Sequence, residues 1–370
     1  MEEWKSYRLG DVINVLDYKR VPLSSKERES RKGVYPYYGA QGIIDYINDY
    51  IFDGEYLLIA EDGENLKSQK QNIAQIARGK FWVNNHAHIV ESNGKSDIRF
   101  ICYLLNRMDL SGYITGSAQP KLNQANLLAM EVCLPDLATQ IRIVGLLSSF
   151  DDKIAINNRI NHNLEEQAQA LYKSWFVDFE PFKDGNFVNS ELGLIPAGWH
   201  VGTLLDLVEV RYGKDHKSLN DGAIPVYGSG GLMRYAERAL FEKESVLIPR
   251  KGTLNNVMYV SHPFWTVDTM FYTSEKVAHA IKYAHLFLLT LDLASMNAGS
   301  AVPSMTTDIL NKLVVLIPPQ DVLDAFDVIV SALYSGMDVY LKESSSLSTT
   351  RDSLLPKLLS EHDDCAKMTC

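Results

Sequence analysis

Three short stretches of the sequence carry residue types that could support catalysis or metal binding. Gly228-Ser229-Gly230-Gly231 has the glycine content of a nucleotide-binding loop, but no acidic residue follows at about 20 positions in a strand–loop–helix context. Asp151, Asp152 and Lys153 resemble a nuclease carboxylate pattern only loosely, because they lie on a strongly helical segment. His86 and His88 could ligate a metal ion, but the equivalent positions 183 residues later hold Thr269 and Phe271. We therefore predict a tight turn, a helix surface and structural histidines, with no catalytic residue and no metal site.

Side chains suited to binding cluster instead in loops that are rich in Tyr, Gly and small polar residues. Such side chains, together with Lys and Arg, contact phosphates and base edges in protein–DNA complexes. For each residue, a role as a solvated turn former stays an alternative. The residues that we predict to contact DNA are Tyr38, Gln41, Lys67, Gln119, Lys121, Asn123, Tyr227, Ser229, Arg250, Lys251, Ser304 and Thr306.

The same loops occur twice, because the chain is an internal repeat. Trp4, Leu9 and Asp11 recur at an offset of 195 as Trp199, Leu204 and Asp206. At an offset of 189, Pro36, Tyr38, Gly39, Gly42, Tyr46 and Gly63 recur as Pro225, Tyr227, Gly228, Gly231, Tyr235 and Gly252. At 183, Trp82, Gly116, Ser117, Ala118, Pro120 and Pro135 recur as Trp265, Gly299, Ser300, Ala301, Pro303 and Pro318. Each fall in the offset predicts a shortened loop between two paired elements.

Each copy begins with short apolar runs between Gly, Asn and Asp clusters, which predict short strands and turns with helices at 98–106 and 279–291. Each copy ends in a long segment with apolar residues at alternating spacings of three and four, which is a heptad pattern. The first seam is Leu147, Phe150, Ile154, Asn157, Asn161, Leu164, Ala168, Leu171 and Trp175. The second is Leu323, Phe326, Val330, Leu333, Met337, Tyr340, Ser344, Leu347, Arg351 and Leu354.

The two seams predict a pair of long helices that space the domains and also bind partner helices. A helical hairpin that only packs the domains is the alternative. Polar members such as Asn157 and Asn161 would fix register and partner choice. The residues that we predict to dock partners are Phe150, Ile154, Asn157, Asn161, Leu164, Leu171, Trp175, Leu333, Met337, Tyr340, Leu347 and Leu354.

The net charge of −10 would disfavour DNA binding if it were evenly spread. It is concentrated in the helical segments, because residues 136–196 carry −4 and residues 319–370 carry −5. The repeated domains are close to neutral and can present a basic face. No apolar run is long enough to span a membrane, and the amino-terminal residues do not form an apolar signal region, so we expect a cytoplasmic location and no membrane partner.

Four motifs together resemble the specificity subunits of type I restriction-modification systems. Residues 170–181, ALYKSWFVDFEP, are similar to the end of that family's central helical region, and residues 190–199 to the start of its second recognition domain. Residues 116–122 and 299–305 resemble its paired loop motifs, and residues 351–360 its carboxy-terminal end.

The resemblance implies a bipartite DNA target, with each recognition domain reading one half. It further implies that the helices act as a ruler and dock two methyltransferase subunits, which use S-adenosylmethionine to methylate adenine. Restriction subunits, which use ATP and Mg²⁺, would join that core. The chain itself would bind no cofactor and would not be an enzyme. A stand-alone DNA-binding scaffold or regulator without catalytic partners is the alternative function.

We therefore predict an α+β fold with two repeated target-recognition domains, separated and closed by two long antiparallel heptad helices in a pseudo-twofold arrangement. The recognition domains are predicted at 1–135 and 181–318, the second with a leading linker at 181–197. Helical spacers are predicted at 136–180 and 319–362, followed by a tail at 363–370 that matches no motif of the family.

Overall fold

A computed structural model describes residues 4–116, 119–296 and 304–359 of the chain. The chain folds into two compact units. Unit 1 comprises Met1–Ala155 and Ser344–Cys370, and unit 2 comprises Ile156–Glu343. Each sequence repeat therefore builds its loops and strands within its own unit. The domain boundaries proposed from the sequence stay predictions.

Unit 1 combines short helices with one large sheet. Its strands are β1 (Lys5–Arg8), β2 (Ile13–Val15), β3 (Lys32–Gly39), β4 (Gly42–Ile47), β5 (Phe52–Ala60), β6 (Ala74–Val83), β7 (Ala87–Ser92) and β8 (Glu131–Leu134). Its helices are α1 (Ser25–Ser30), α2 (Asn65–Ser68), α3 (Ile98–Leu105), α4 (Gln124–Ala129) and the first part of α5 (Leu137–Phe176).

The sheet of unit 1 has the order β2-β7-β5-β6-β3-β4 among the described residues, and β1 pairs separately with β8. The end of β5, Leu57–Ala60, is buried, since helix α3 covers one face of the sheet and aromatic residues cover the other. Helix α3 begins where the sequence predicts it, because the Asp97 carboxylate accepts hydrogen bonds from the backbone N–H groups of Arg99 and Phe100.

Unit 2 repeats this plan with shorter strands. They are β9 (Phe187–Ser190), β10 (Gly193–Pro196), β11 (His200–Thr203), β12 (Val208–Tyr212), β13 (Ile224–Gly228), β14 (Gly231–Ala236), β15 (Ser245–Pro249), β16 (Met258–Val260), β17 (Trp265–Thr266), β18 (Met270–Glu275) and β19 (Val314–Ile317). Its helices are the end of α5, α6 (Leu204–Leu207), α7 (Ala280–Leu289), α8 (Thr307–Asn311) and the first part of α9 (Gln320–Leu358).

The repeat read from the sequence is a structural repeat. In unit 1, Tyr37 pairs with Trp82 in a parallel β3–β6 contact, and in unit 2 Val226 pairs with Trp265 in a parallel β13–β17 contact. Both indoles donate to a backbone carbonyl at the start of their domain: Trp82 Nε1 lies 2.6 Å from the Val21 oxygen. The equivalent distance from Trp265 Nε1 to the Lys214 oxygen is 2.8 Å.

The structure also locates the two falls in the repeat offset. Helix α1, six residues long, lies between the first two matched blocks of unit 1, and the described part of unit 2 has no helix at the equivalent place. The second fall coincides with the long β5–β6 hairpin, which is cut down in unit 2 to β15 and the three-residue β16. Because β16 and β17 are so short, the sheet of unit 2 is divided into the orders β12-β18-β15-β16 and β14-β13-β17.

The long helices form an antiparallel pair within each unit. In unit 2, Asn157 Nδ2 donates to Glu343 Oε2 at 2.8 Å, and further along α5 the Trp175 ring packs against Phe326, 5.7 Å between ring centroids. In unit 1, Arg351 of α9 forms an ion pair with Asp151 of α5. Helix α5 begins at the predicted place, because the Asp136 carboxylate accepts a hydrogen bond from the Thr139 N–H. The α+β fold with two repeats and two antiparallel heptad helices is thereby confirmed.

Within the described ranges, no helix is both long and apolar enough to cross a membrane.

Candidate nucleic-acid interface

Three loops of unit 1 converge, and we call them loop cluster 1: residues 39–42, 61–68 and the described part of 115–123. Asp62 and Lys121 form an isolated antiparallel bridge, and the Leu122 N–H donates to the Glu61 oxygen at 2.8 Å. The Gln41 amide lies beside Gly63, because a Cβ built on that glycine would stand 3.9 Å from Gln41 Nε2. The predicted residues Gln41 and Lys121 are thus brought together by backbone contacts between loops far apart in sequence.

Glu61 organises the charges of loop cluster 1. Its carboxylate accepts from Arg20 at 2.7 Å and lies 3.1 Å from the Lys121 ammonium. Burial alone would raise the pKa of Glu61, but the hydrogen bonds from Arg20 and Lys121 outweigh burial and lower the pKa below its usual value. Lys121 is therefore held in place by an intramolecular carboxylate, in the way that a phosphate oxygen would hold it.

A buried histidine contacts the same loops from the interior of unit 1. His88 is almost fully buried, with Nδ1 2.6 Å from Asp17 Oδ2 and Nε2 2.7 Å from the Leu122 oxygen. Asp17, Glu61 and His88 stand close enough together to hold a metal ion. Arg20 bonds both carboxylates and Lys121 also pairs with Glu61, so the two carboxylates already face two cations and we assign these residues to the support of the loop. The prediction that the chain holds no metal stays a prediction.

Loop cluster 2 consists of the matching loops of unit 2, which are residues 228–231, 250–256 and 304–306. Lys251 and Ser304 form the bridge equivalent to the one between Asp62 and Lys121, and the Met305 N–H donates to the Arg250 oxygen at 2.9 Å. Gly252 has a φ of +86°, a left-handed backbone conformation that favours glycine, and a Cβ there would also approach Ser229 Oγ to 2.8 Å. The loops therefore meet through the same backbone contacts as in unit 1.

The two clusters differ in charge at equivalent positions. Glu61 and Asp62 of unit 1 correspond to Arg250 and Lys251 of unit 2 at the offset of 189. The Arg250 guanidinium lies 5.4 Å from the Tyr212 ring centroid and donates to the Asp268 oxygen, while Lys251 is exposed. One backbone frame thus presents acidic side chains in one unit and basic side chains in the other.

The structure separates the twelve predicted loop residues into two groups. Asn123 and Thr306 are helix caps, because their side chains accept from the N–H groups of Asn126 and Ile309. The Tyr38 ring packs against Phe81, and the Tyr227 hydroxyl lies 3.1 Å from His262 Nε2, so both tyrosines belong to the framework. The residues at the loop surfaces are Gln41, Lys67, Gln119, Lys121, Ser229, Arg250, Lys251 and Ser304.

The residues selected from the sequence did not include Glu61 and Asp62, although both lie in one of the matched loops. They also did not include Arg20, His216 and Lys217, although the last two line a groove of about 490 Å³ beside Ser229. The offset of 189 was a usable signal for Glu61 and Asp62, since it aligns them with the selected Arg250 and Lys251. No equivalent signal in the sequence pointed to Arg20.

The predicted docking residues face inward more than outward. Asn157, Asn161 and Met337 are buried, and the other nine are half-buried. The outward faces carry other apolar side chains, which the heptad pattern does not select. On α9, Val328 is 75% exposed and Val339 is 61% exposed, with the exposed Ala332 between them. On α5, Ile141, Leu146 and Ile156 are exposed.

These features define a class of protein: a binding subunit with two homologous recognition domains, each presenting a loop cluster of amide, hydroxyl and charged side chains, joined to a helix pair. The sequence pattern of the type I restriction modification DNA specificity domain matches residues 1–166 and 196–329. The chain belongs to this family.

Individual relatives agree with the family match. A putative type I restriction enzyme specificity subunit of Haemophilus influenzae is 26% identical, with 92% of each chain covered. The MjaIX specificity subunit of Methanocaldococcus jannaschii is 27% identical, covering 96% of this chain and 95% of that protein. The crystal structure of a type I restriction-modification S subunit from M. genitalium shares the fold, with a TM-score of 0.62 at 19% identity over 96% of both chains. The predicted specificity subunit, which recognises DNA and is not itself the enzyme, is confirmed by the family.

Proposed function

We propose that loop clusters 1 and 2 each read one half of a bipartite DNA target, while the outward faces of the helix pair hold the methyltransferase subunits of a type I complex. One observation carries this proposal: the two clusters have the same backbone contacts but opposite charge at the equivalent positions 61–62 and 250–251. A shared frame with different side chains suits two sites that must read different base sequences.

Loop cluster 2 has the chemistry for phosphate and guanine contacts. Lys251 is exposed on the bridge to Ser304, and Arg250 beside it is oriented by Tyr212. Arginine and lysine are the commonest partners of guanine and of phosphate oxygens. We assign Arg250 and Lys251 to DNA contact, with Ser229 and Ser304 as neighbouring hydroxyl groups.

Loop cluster 1 has a different chemistry. Gln41 and Gln119 offer exposed amides, which pair with adenine. Asp62, whose carboxylate is bonded to His86 in the free chain, would accept from cytosine. Lys121 is bound to Glu61 in the free chain and would exchange that carboxylate for a phosphate. We therefore expect the half-site read by unit 1 to differ in sequence from that read by unit 2.

The helix pair supplies the surface for partners. The seam residues hold α5 and α9 together, so the outward stripe of Val328, Ala332 and Val339 is the surface that a partner helix can cover. We propose two methyltransferase subunits that use S-adenosylmethionine, and restriction subunits that use ATP and Mg²⁺, as the partners. This chain then contributes recognition and assembly, and the partners contribute the chemistry.

The loop assignment is tested by replacing Lys251 with Ala and measuring DNA binding and adenine methylation. We expect K251A to weaken binding and to reduce the slope of log affinity against log salt by about one, because one phosphate contact is lost. The matched control is K243A, which removes an exposed lysine outside loop cluster 2. An unchanged salt slope for K251A, or an equal effect of K243A, would contradict the assignment.

A further inference from the structure

Unit 2 contains a cavity that borders loop cluster 2 at Asn255 and Asn256. Its volume is about 560 Å³, and it lies between the helix pair and the recognition domain of the same unit. Cavities of about 300–1,000 Å³ hold drug-sized ligands. The helices contribute Glu165, Tyr334 and Asp338 to its wall, and the domain contributes Tyr227 and Tyr259 among others.

The aromatic part of the wall is fixed by its own contacts. The rings of Tyr259 and Tyr334 meet edge to face, with centroids 4.6 Å apart. The Tyr334 hydroxyl lies 2.5 Å from His285 Nδ1, and the Tyr227 hydroxyl lies 3.1 Å from His262 Nε2. Tyrosine rings present electron-rich faces that attract a cation. The Lys282 ammonium already lies 5.7 Å from the Tyr259 ring centroid, so Tyr227 and Tyr334 are the rings left for a ligand.

The charged side chains that line the cavity are acidic. Glu165 from α5 and Asp338 from α9 line the cavity, and its described lining contains no lysine or arginine. Asp338 is already paired with Lys342 of the same helix at 2.6 Å, so Glu165 is the carboxylate that charges the wall. The two histidines do not offset this charge at neutral pH, because burial lowers the pKa of His285 to about 4 and also lowers that of His262. The nearby Lys282 is already neutralised by ion pairs with Glu244 and Asp327. An anionic ligand would be repelled, and a cationic one attracted.

The wall also includes a polar side chain that lacks a partner. Asn161 is only 8% exposed, and neither its amide nitrogen nor its amide oxygen has a hydrogen-bond partner among the described residues. Leaving a buried amide unpaired costs free energy that a hydroxyl of a ligand could recover. In contrast, Asn157, one turn earlier on α5, donates to Glu343.

We propose that this cavity is a binding site for a small organic cation: a compact ammonium group bound by the rings of Tyr227 and Tyr334, with Glu165 supplying the countercharge and Asn161 bonding a hydroxyl. The cavity lies wholly within unit 2, and the proposal does not rest on the DNA-reading function. The ligand carries no anionic group, because the negative charge of the wall would repel a phosphorylated molecule.

Two molecules of nearly equal shape test the proposal on the full-length chain. Choline carries a trimethylammonium group, and 3,3-dimethylbutan-1-ol carries an uncharged tert-butyl group in its place. Calorimetric titration should show that choline binds at least about fivefold more tightly, because only the cation interacts with the ring faces and the carboxylate. Equal affinity of the two molecules, or binding of neither in the millimolar range, would overturn the proposal.

Variants then locate the bound molecule. E165Q should weaken choline binding severalfold and leave the binding of the alcohol unchanged, since it removes charge and keeps shape. The matched control is E166Q, which neutralises the next, equally exposed helix residue outside the cavity lining. N161L should raise the Tm of the free chain and weaken both ligands alike. If E165Q behaves like E166Q, the cation is bound elsewhere and the site assignment is wrong.

Discussion

His285 shows how a single buried residue can make the stability of unit 2 depend on pH. Its side chain is buried beside Tyr334, and burial lowers its pKa from 6.5 to about 4. In the unfolded chain the imidazole takes up a proton as the pH falls through about 6.5, whereas in the folded chain it stays neutral until about pH 4. The free energy of unfolding is therefore highest above pH 6.5, and it falls progressively as the pH falls towards 4.

We predict that the free energy of unfolding falls by about 2 kcal/mol between pH 7 and pH 5 because of His285 alone. Denaturant unfolding at a series of pH values measures this change. H285N, which cannot titrate in this range, should lose most of that slope even though it is less stable at pH 7. The variant H200N is the control, because His200 is exposed and should leave the slope unchanged. An equal slope in wild type and H285N would show that other groups cause the pH dependence.

At the scale of elements, the long helices use their two faces differently. The residues of the heptad seam pack within the chain, as the buried Leu323, Phe326 and Val330 show. The stripe of Val328, Ala332 and Val339 points away from that seam and stays exposed. An exposed apolar stripe on a helix is typical of a surface that a second helix covers.

We predict that V328E with V339E abolishes co-purification of the methyltransferase subunits and leaves the Tm of the free chain within a few degrees, because neither side chain contributes to the core. Pull-down and thermal unfolding measure the two effects. The control S346E places the same charge at another exposed position of α9. If the double variant still binds its partners while the seam variant L333A, folded, does not, the docking surface is the seam and not the stripe.

At the scale of the whole molecule, α5 and α9 each contribute to both units. Helix α5 passes from unit 1 to unit 2 after Ala155, and α9 passes back after Glu343. At 1.5 Å per residue, the 40 residues of α5 span about 60 Å, which is longer than one turn of DNA. A ruler role would therefore be set by the number of residues in these two helices.

We predict that inserting four residues after Ala155 and four after Glu343 lengthens the DNA spacer and preserves both half-sites. Four helical residues add about 6 Å, close to two base pairs, and rotate the chain by about 400°, near one full turn. Genome-wide mapping of methylated adenine would show the new spacing. The same four residues placed after Gly185, in a loop of unit 2, should leave the spacing unchanged. Unchanged spacing in the helix variant would refute the ruler.

The sequence by itself determined the repeat, the two heptad helices and the family, because these depend on patterns that are local or that recur at a constant offset. Proline, glycine and tryptophan positions matched across the offsets became equivalent turns and pairings, as at Trp82 and Trp265. The helix starts were readable as well, since a cap such as Asp136 acts on residues only three positions away.

Only the tertiary structure decided what each side chain does. Asn123 and Thr306 were indistinguishable from binding residues until they were seen capping α4 and α8. The pairing of Lys121 with Glu61, 60 positions away in sequence, arises from loops brought together by the sheet. The cavity beside Asn161 likewise needs the helix pair and the domain packed together, and no periodicity records which long-range contacts will enclose a space or leave an amide unpaired.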